Sequence, residues 1–324
     1  MADFTLDNHL NGSGFFDSMA ADVAEGLQNS PMRLRPKYLY DERGSDLFEQ
    51  ITELIEYYPM RAEGELLNAI ADDVIAAVRP DEILELGSGS STKTRLLLDA
   101  GVANGCLKRY LPFDVSESII RLAAGELQQR YPDLELHGVV GDFEADLGKA
   151  PPPDGKRLVL FLGSTIGNLH AEERVAQLSK IREVLGENGS LLLGTDLVKE
   201  VATIEAAYND AAGVTAEFNR NMLNVLNAGL EGDFDPAAFD HYAYFNRDDS
   251  RIEMHLRPRS PQVAHLRKLD LTIEISPEET IWTESSYKFT RESVAQMLRE
   301  AGLKLDRWYA APGDLFGLSL SSRA

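Results

Sequence analysis

The chain has 324 residues, 44% of them hydrophobic, enough to bury a full α/β core and still leave a second, smaller lobe. Its 53 acidic residues against 32 basic ones give a formal net charge of -21, which opposes binding to a polyanion because phosphate contacts need clustered Lys and Arg. Nucleic-acid and membrane partners are set aside: no apolar stretch is long enough to span a bilayer, no basic segment leads into an apolar export signal, and a cytoplasmic protein is expected. The single cysteine, Cys106, has no partner for an internal disulfide and reads as a structural thiol. The histidines His9, His137, His170, His241, His255 and His265 show no metal-ligand spacing, so no metal is expected.

Residues 1 to about 60 read as helical around Phe15 to Leu27 and Asp46 to Leu54, joined by the Pro-containing turn from Ser30 to Lys37. Alternation follows. Short apolar runs end in Gly, Asp or Asn at Ile83 to Leu86, Arg109 to Asp114, Leu134 to Asp142, Arg157 to Leu162 and Ser190 to Asp196. Between them, Lys93 to Ala100, Ser116 to Gln129 and Ala171 to Leu185 have helical periodicity. The pattern from Lys199 to Ser285 is different: a long helical stretch, Glu200 to Leu230, interrupted near Gly213, then β-like segments around Tyr242 to Arg257 and Leu266 to Ile275. A helix over Arg291 to Ala301 and strands over Leu303 to Tyr309 and Phe316 to Ser321 close the chain.

Strand and helix in alternation call for parallel strands with crossover helices, an α/β doubly wound, Rossmann-like sheet with ligands at the carboxyl ends of the strands. The expected organisation is a core of residues 61–198 completed by 287–324, with residues 1–60 as the helical part and 199–286 as the inserted part of a mixed α+β substrate-binding lobe. With no marked apolar stripe outside this core, a monomer is expected.

The segment Ile83 to Gly89 is a buried strand running into Gly87-Ser88-Gly89, and a helix start follows. Glycine permits positive φ and close ligand approach, and a helix amino end offers free amides. At the next strand end, Asp114 stands where an acid accepts from ribose hydroxyls. At the third, Asp142 can accept from an adenine amino group, with the Phe143 ring beside it. Each acid taken singly also reads as a helix N-cap. Three successive strand ends carrying suitable groups favour an adenosine site.

The main rival uses the same residues, since Gly87 to Thr94 is one substitution from a phosphate-binding loop, with Thr92 where Gly should precede Lys93. An ATP-binding protein therefore stays open, as does a non-catalytic adenosine-binding module. S-adenosylmethionine carries no phosphates and needs neither that glycine nor a metal. Gly163 to Gly167 superficially resembles a nucleophile elbow, but its central residue is Thr165.

With Val159 to Leu169 the chain resembles the histidine Nα-methyltransferases of ergothioneine biosynthesis. The likeness includes Lys37 to Asp41, Gly44 to Phe48, Glu56 to Pro59, Leu86 to Thr94, Gly194 to Lys199, Asp210 to Thr215, Phe218 to Asn221, Arg251 to Met254 and Lys288-Phe289. Only the first twenty or so residues depart from it. The resemblance implies a class I methyltransferase that uses S-adenosylmethionine to trimethylate the α-amine of L-histidine, giving hercynine. It places Tyr40, Gly87, Ser88, Gly89, Lys93, Asp114, Asp142, Phe143 and Thr165 around the cofactor. It places Asn168 and Tyr208 on the substrate carboxylate and Tyr57, Met254, Glu284 and Ser286 around the imidazole; separately, since the amine must reach the methyl deprotonated, Tyr40 or a water near Asn168 is expected to steer it. Another amino acid or small amine as acceptor remains the alternative. Glu284 and Ser286 are two apart in an extended run, so both side chains share one face and can meet two ring nitrogens together; a solvent-facing polar stripe is the ordinary explanation of such alternation.

Overall fold

The computed structural model describes residues 4–10 and 12–324. The chain divides into two compact units, one of Met1–Asn11, Ala62–Leu197 and Phe289–Ala324, the other of Gly12–Arg61 and Val198–Lys288.

The first unit is built on an eight-stranded sheet in the order Phe4–Asn8, Glu135–Val140, Arg109–Asp114, Glu82–Leu86, Arg157–Phe161, Ser190–Asp196, Phe316–Arg323, Leu303–Ala310. The first six strands run parallel; the last two, antiparallel to their neighbours, finish one edge. Every residue of Glu82–Leu86 and Arg157–Phe161 is buried, as expected of strands covered on both faces by crossover helices. Leu67, Val74, Leu97, Leu127, Leu160 and Leu318 belong to one core cluster that ties helices to the sheet. The expected α/β doubly wound sheet is thus present. Its order turns about Glu82–Leu86, whose successors lie on opposite sides, so the carboxyl ends there open a crevice.

One expectation is corrected, and one element is unforeseen. The amino-terminal segment is not wholly helical: Phe4–Asn8 is a strand paired parallel with Glu135–Val140. Its fit depends on Gly138, where a Cβ would come within 2.6 Å of Leu6 and Ile120. A 21-residue helix, Tyr58–Val78, lies outside the predicted elements.

At the amino ends of the central strands, Glu82 and Arg157 are both fully buried and ion-paired. Arg109 Nε also donates to Glu82, at 2.9 Å. Arg157 donates further to Val184 O at 3.1 Å and Pro151 O at 2.7 Å, which anchors the proline loop.

The second unit holds helices Gly12–Gln28, Glu42–Thr52, Val201–Tyr208 and Val214–Leu230. It also has a four-stranded sheet in the order Met32–Arg33, Ile281–Tyr287, Arg251–Pro258, Phe239–Asn246, and a hairpin of Gln262–Leu266 and Leu271–Ile275. The long helical pattern resolves into two helices because Gly213, at φ +77°, starts the second. Asp210 fixes that break by accepting from Val214 N at 2.9 Å and Thr215 N at 2.8 Å.

Removing one member of a buried charge network leaves its partners uncompensated, so Arg157→Met is expected to destabilise the chain by about 3 kcal/mol or more. Urea unfolding of the variant against the parent checks it, and a change under about 1 kcal/mol refutes the assignment.

Candidate active site

The turn after Glu82–Leu86 requires its glycines, since Gly87 and Gly89 have φ of +68° and +48°. Side chains hold the turn in place. Gly89 N donates to Asp114 Oδ2 at 2.9 Å, and Asp114 Oδ1 accepts from Ser116 N at 3.0 Å. Burial lifts the Asp114 carboxyl above its ordinary value against the pull of these backbone donors. Asp114 is not a helix cap: Ser116 caps Glu117–Arg130. Asp142 is one. Its Oδ1 accepts from Glu144 N at 2.9 Å at the start of Phe143–Asp146, so this oxygen has the ordinary structural role. The Phe143 ring packs edge-on against Phe161 at 5.4 Å and lies beside Gly87, where an added Cβ would be 3.9 Å from its edge.

Beneath the turn lies a set of carboxylates missing from the predicted site. Glu63, on helix Tyr58–Val78 and fully buried, ion-pairs with Lys93 and accepts from Gly163 N at 2.8 Å. A Cβ at Gly194 would come within 2.4 Å of the Glu63 carboxylate. Glu85 accepts from Thr94 and Tyr110, and Tyr110 meets Ser91 at 2.8 Å. Desolvation pushes the Glu85 carboxyl up to about 7, against the opposing pull of Thr94, Tyr110 and Lys93. At the fourth strand end, Ser164 is left-handed at φ +57° and accepts from Asp196 N at 2.8 Å. Thr165–Asn168 then forms a short 3-10 turn, with Thr165 Oγ1 donating to Leu162 O at 3.0 Å.

In the second unit, Glu284 pairs with Met254 and Ser286 with Ile252 across two antiparallel strands, so all four share a face. Glu284 and Ser286 are 8% and 5% exposed, which removes the solvent-facing alternative. Tyr208 donates to Ser286 Oγ at 2.7 Å, and Tyr57 packs edge-on to Tyr208 with centroids 6.3 Å apart. Tyr40 packs against Phe48 and Phe218 at 5.4 and 5.5 Å. Burial, then the nearby Glu284 carboxylate and the neighbouring phenols of Tyr57 and Tyr208, hold the Tyr40 phenol well above its ordinary value. Tyr40, Tyr57, Tyr208, Met254, Glu284 and Ser286 are thus brought together. Gly87, Ser88, Gly89, Lys93, Asp114, Asp142, Phe143, Thr165 and Asn168 lie at the strand ends of the first unit.

The family profile described as "Histidine-specific methyltransferase, SAM-dependent" matches residues 19–323. The chain belongs to this family. It is 47% identical to the histidine N-alpha-methyltransferase of Mycolicibacterium smegmatis over 98% of this chain and 99% of that protein. To the protein of the same description from Mycobacterium tuberculosis it is 46% identical over the same shares. To ergothioneine biosynthesis protein 1 of Schizosaccharomyces pombe it is 28% identical, over 87% of this chain and 38% of that protein. The chain is therefore an S-adenosylmethionine-dependent methyltransferase.

The strand ends suit this cofactor by the chemistry of their donors. Asp114 offers a carboxylate to vicinal hydroxyls, Phe143 a ring face or edge to a base, and Gly87 an approach without a side chain. A triphosphate fits poorly, because Lys93 is already ion-paired to Glu63 and the Thr94 hydroxyl donates to Glu85, so neither is set to receive phosphate or Mg²⁺. Among the described residues no cluster of three or more His, Cys, Asp or Glu is arranged for a metal, and no helix is long and apolar enough to cross a membrane.

Asp114→Ala removes both the hydroxyl acceptor and the bond to Gly89, so S-adenosylhomocysteine is expected to bind about ten- to a hundredfold more weakly by calorimetry. Unchanged affinity would take Asp114 out of the cofactor site. Glu85 adds a pH signature. Its folded value near 7 exceeds the unfolded value of about 4.3, so its stabilising contribution is complete below about 4.3 and is lost as pH rises through 7. The melting temperature of Glu85→Gln relative to the parent is expected to climb between about pH 5 and 8; a constant difference contradicts the raised carboxyl.

Proposed function

We propose that the chain methylates the α-amine of L-histidine three times, yielding hercynine at the start of ergothioneine biosynthesis. The observation that carries the reading is the buried pair on Ile281–Tyr287: a carboxylate, Glu284, and a hydroxyl, Ser286, two residues apart on one face with Met254 opposite Glu284. A carboxylate and a hydroxyl at that spacing suit the two nitrogens of an imidazole, and the thioether and surrounding rings suit its faces. The identity to two curated histidine N-alpha-methyltransferases over nearly the whole chain supports the same acceptor.

S-adenosylmethionine supplies an electrophilic methyl on a sulfonium. An amine can take that methyl only through a free lone pair, so each of the first two products would have to lose a proton to solvent before the next transfer. The chain's contribution is positioning and exclusion of water. Tyr40, placed around the cofactor by the resemblance and proposed here to steer the amine, keeps its proton at neutral pH because its phenol is held so high; it serves as a hydrogen-bonding group and not as a phenolate base. Asn168 and Tyr208 are assigned to the substrate carboxylate on the resemblance. The single Tyr208 proton is committed to Ser286 Oγ at 2.7 Å, so of the two Asn168 is proposed as the donor to the carboxylate.

Incubation with S-adenosylmethionine and an equimolar mixture of amino acids, read by mass spectrometry, is expected to show mass gains of one to three methyl groups on histidine alone. Methylation of another amino acid in its place would replace the reading. Glu284→Ala is expected to weaken histidine binding by about 1–3 kcal/mol through an unpaired ring nitrogen; equal affinity removes Glu284 from the pocket.

A further inference from the structure

Lys288 follows the strand Ile281–Tyr287 and is 4% exposed, an unusual burial for a lysine. Its ammonium donates to Ser286 Oγ at 2.8 Å and Tyr208 Oη at 3.1 Å, and lies 4.8 Å from the Tyr208 ring centroid. Tyr208 in turn donates to Ser286 Oγ at 2.7 Å. A serine oxygen has two acceptor lone pairs and one proton. Lys288 and Tyr208 occupy both lone pairs, and the Ser286 proton finds no acceptor among the described residues. An ammonium has no lone pair, so the serine cannot reverse its bond to Lys288, and charge assistance makes that bond the stronger one.

We infer that Lys288 is a positioning residue for specificity: it locks Ser286 as a donor beside the Glu284 acceptor. The pocket then takes a ring with one N–H and one bare nitrogen, in a single tautomer. The inference rests on the histidine reading and goes beyond it, because a free Ser286 hydroxyl would serve equally as donor or acceptor and would not choose between tautomers.

Calorimetry on the full chain saturated with S-adenosylhomocysteine tests it with three ligands. These are L-histidine, a pyrrolylalanine that keeps the N–H but has CH for the bare nitrogen, and a thiazolylalanine that keeps the bare nitrogen but lacks the N–H. In the parent, pyrrolylalanine is expected to bind at least about tenfold more weakly than histidine, because the Ser286 proton is left unpaired. In Lys288→Met that penalty is expected to fall below about threefold, while the thiazolylalanine penalty, which reports Glu284, stays as in the parent. Lys288→Arg, keeping a charged donor, restores discrimination. Should Lys288→Met not fold, Lys288→Gln, whose carbonyl accepts the serine proton, makes the same comparison. A parent that binds histidine with a pyrrolylalanine penalty unchanged by these substitutions overturns the role of Lys288 and spares the histidine reading. A folded parent that binds S-adenosylhomocysteine but no histidine overturns both.

Discussion

Three acids fix the glycine turn at the candidate cofactor site, and the arrangement of the first unit's strand ends depends on them. Gly87 and Gly89 permit the backbone path, but permission is not rigidity, since glycine loses the most conformational freedom on folding. Asp114 holds the Gly89 amide, Glu85 holds Thr94 and, through Tyr110, Ser91, and Glu63 holds Lys93 and the Gly163 amide. The dependence is mutual. A buried carboxylate without donors is costly, so the turn satisfies the acids as the acids hold the turn. Gly163 and Gly89 sit at different strand ends, and linking both to side chains rooted in helix and sheet preorganises the crevice before any ligand arrives.

In the second unit the equivalent constraint is a β-bulge. Trp282 pairs with His255 and Glu284 with Met254, so Thr283 is the extra residue and the alternation of faces shifts by one. One face consequently carries Trp282, His255 and Tyr244 in a stack with Arg251 over Trp282, and there Glu253 is held down at about 2, burial being outweighed by hydrogen bonds from Tyr244, Asn246 and Arg251. The other face carries Met254, Glu284 and Ser286. Unbulged pairing would put Trp282 and Glu284 on the same side. One inserted residue thus separates a structural polar ladder from the candidate pocket.

The parallel sheet was readable because its buried strands are continuous apolar runs that end in Gly or Asp, as in Val159 to Gly163, and such runs need no knowledge of distant contacts. Phe4–Asn8 was not, since five residues with two large apolar side chains acquire a strand's identity only against Gly138. Asp114 and Asp142 looked alike in sequence, each an acid at a strand end, yet one braces Gly89 and the other caps a helical turn. Glu63 looks like a solvated charge on a helix; the partners that define it lie 30 and 100 residues away. Glu85 did carry a local signal, a lone acid within Ile83-Leu84-Glu85-Leu86, as did Lys288, the third member of an alternation with Glu284 and Ser286.

The proposed threefold transfer to one nitrogen would limit which residues can govern recognition. The reacting amine changes from primary to secondary to tertiary, gains bulk at each step and loses its N–H donors, so a pocket that gripped the nitrogen tightly would bind the second and third substrates progressively worse. The ring and the carboxylate are the parts that stay constant. Affinity placed on the ring, through the buried carboxylate and hydroxyl proposed for it, would be the same at every step. Chemistry at the nitrogen would then be left to groups that tolerate its growth, and a protonated Tyr40 phenol, able either to donate or to accept, would meet that requirement where a charged base bound to one particular N–H would not.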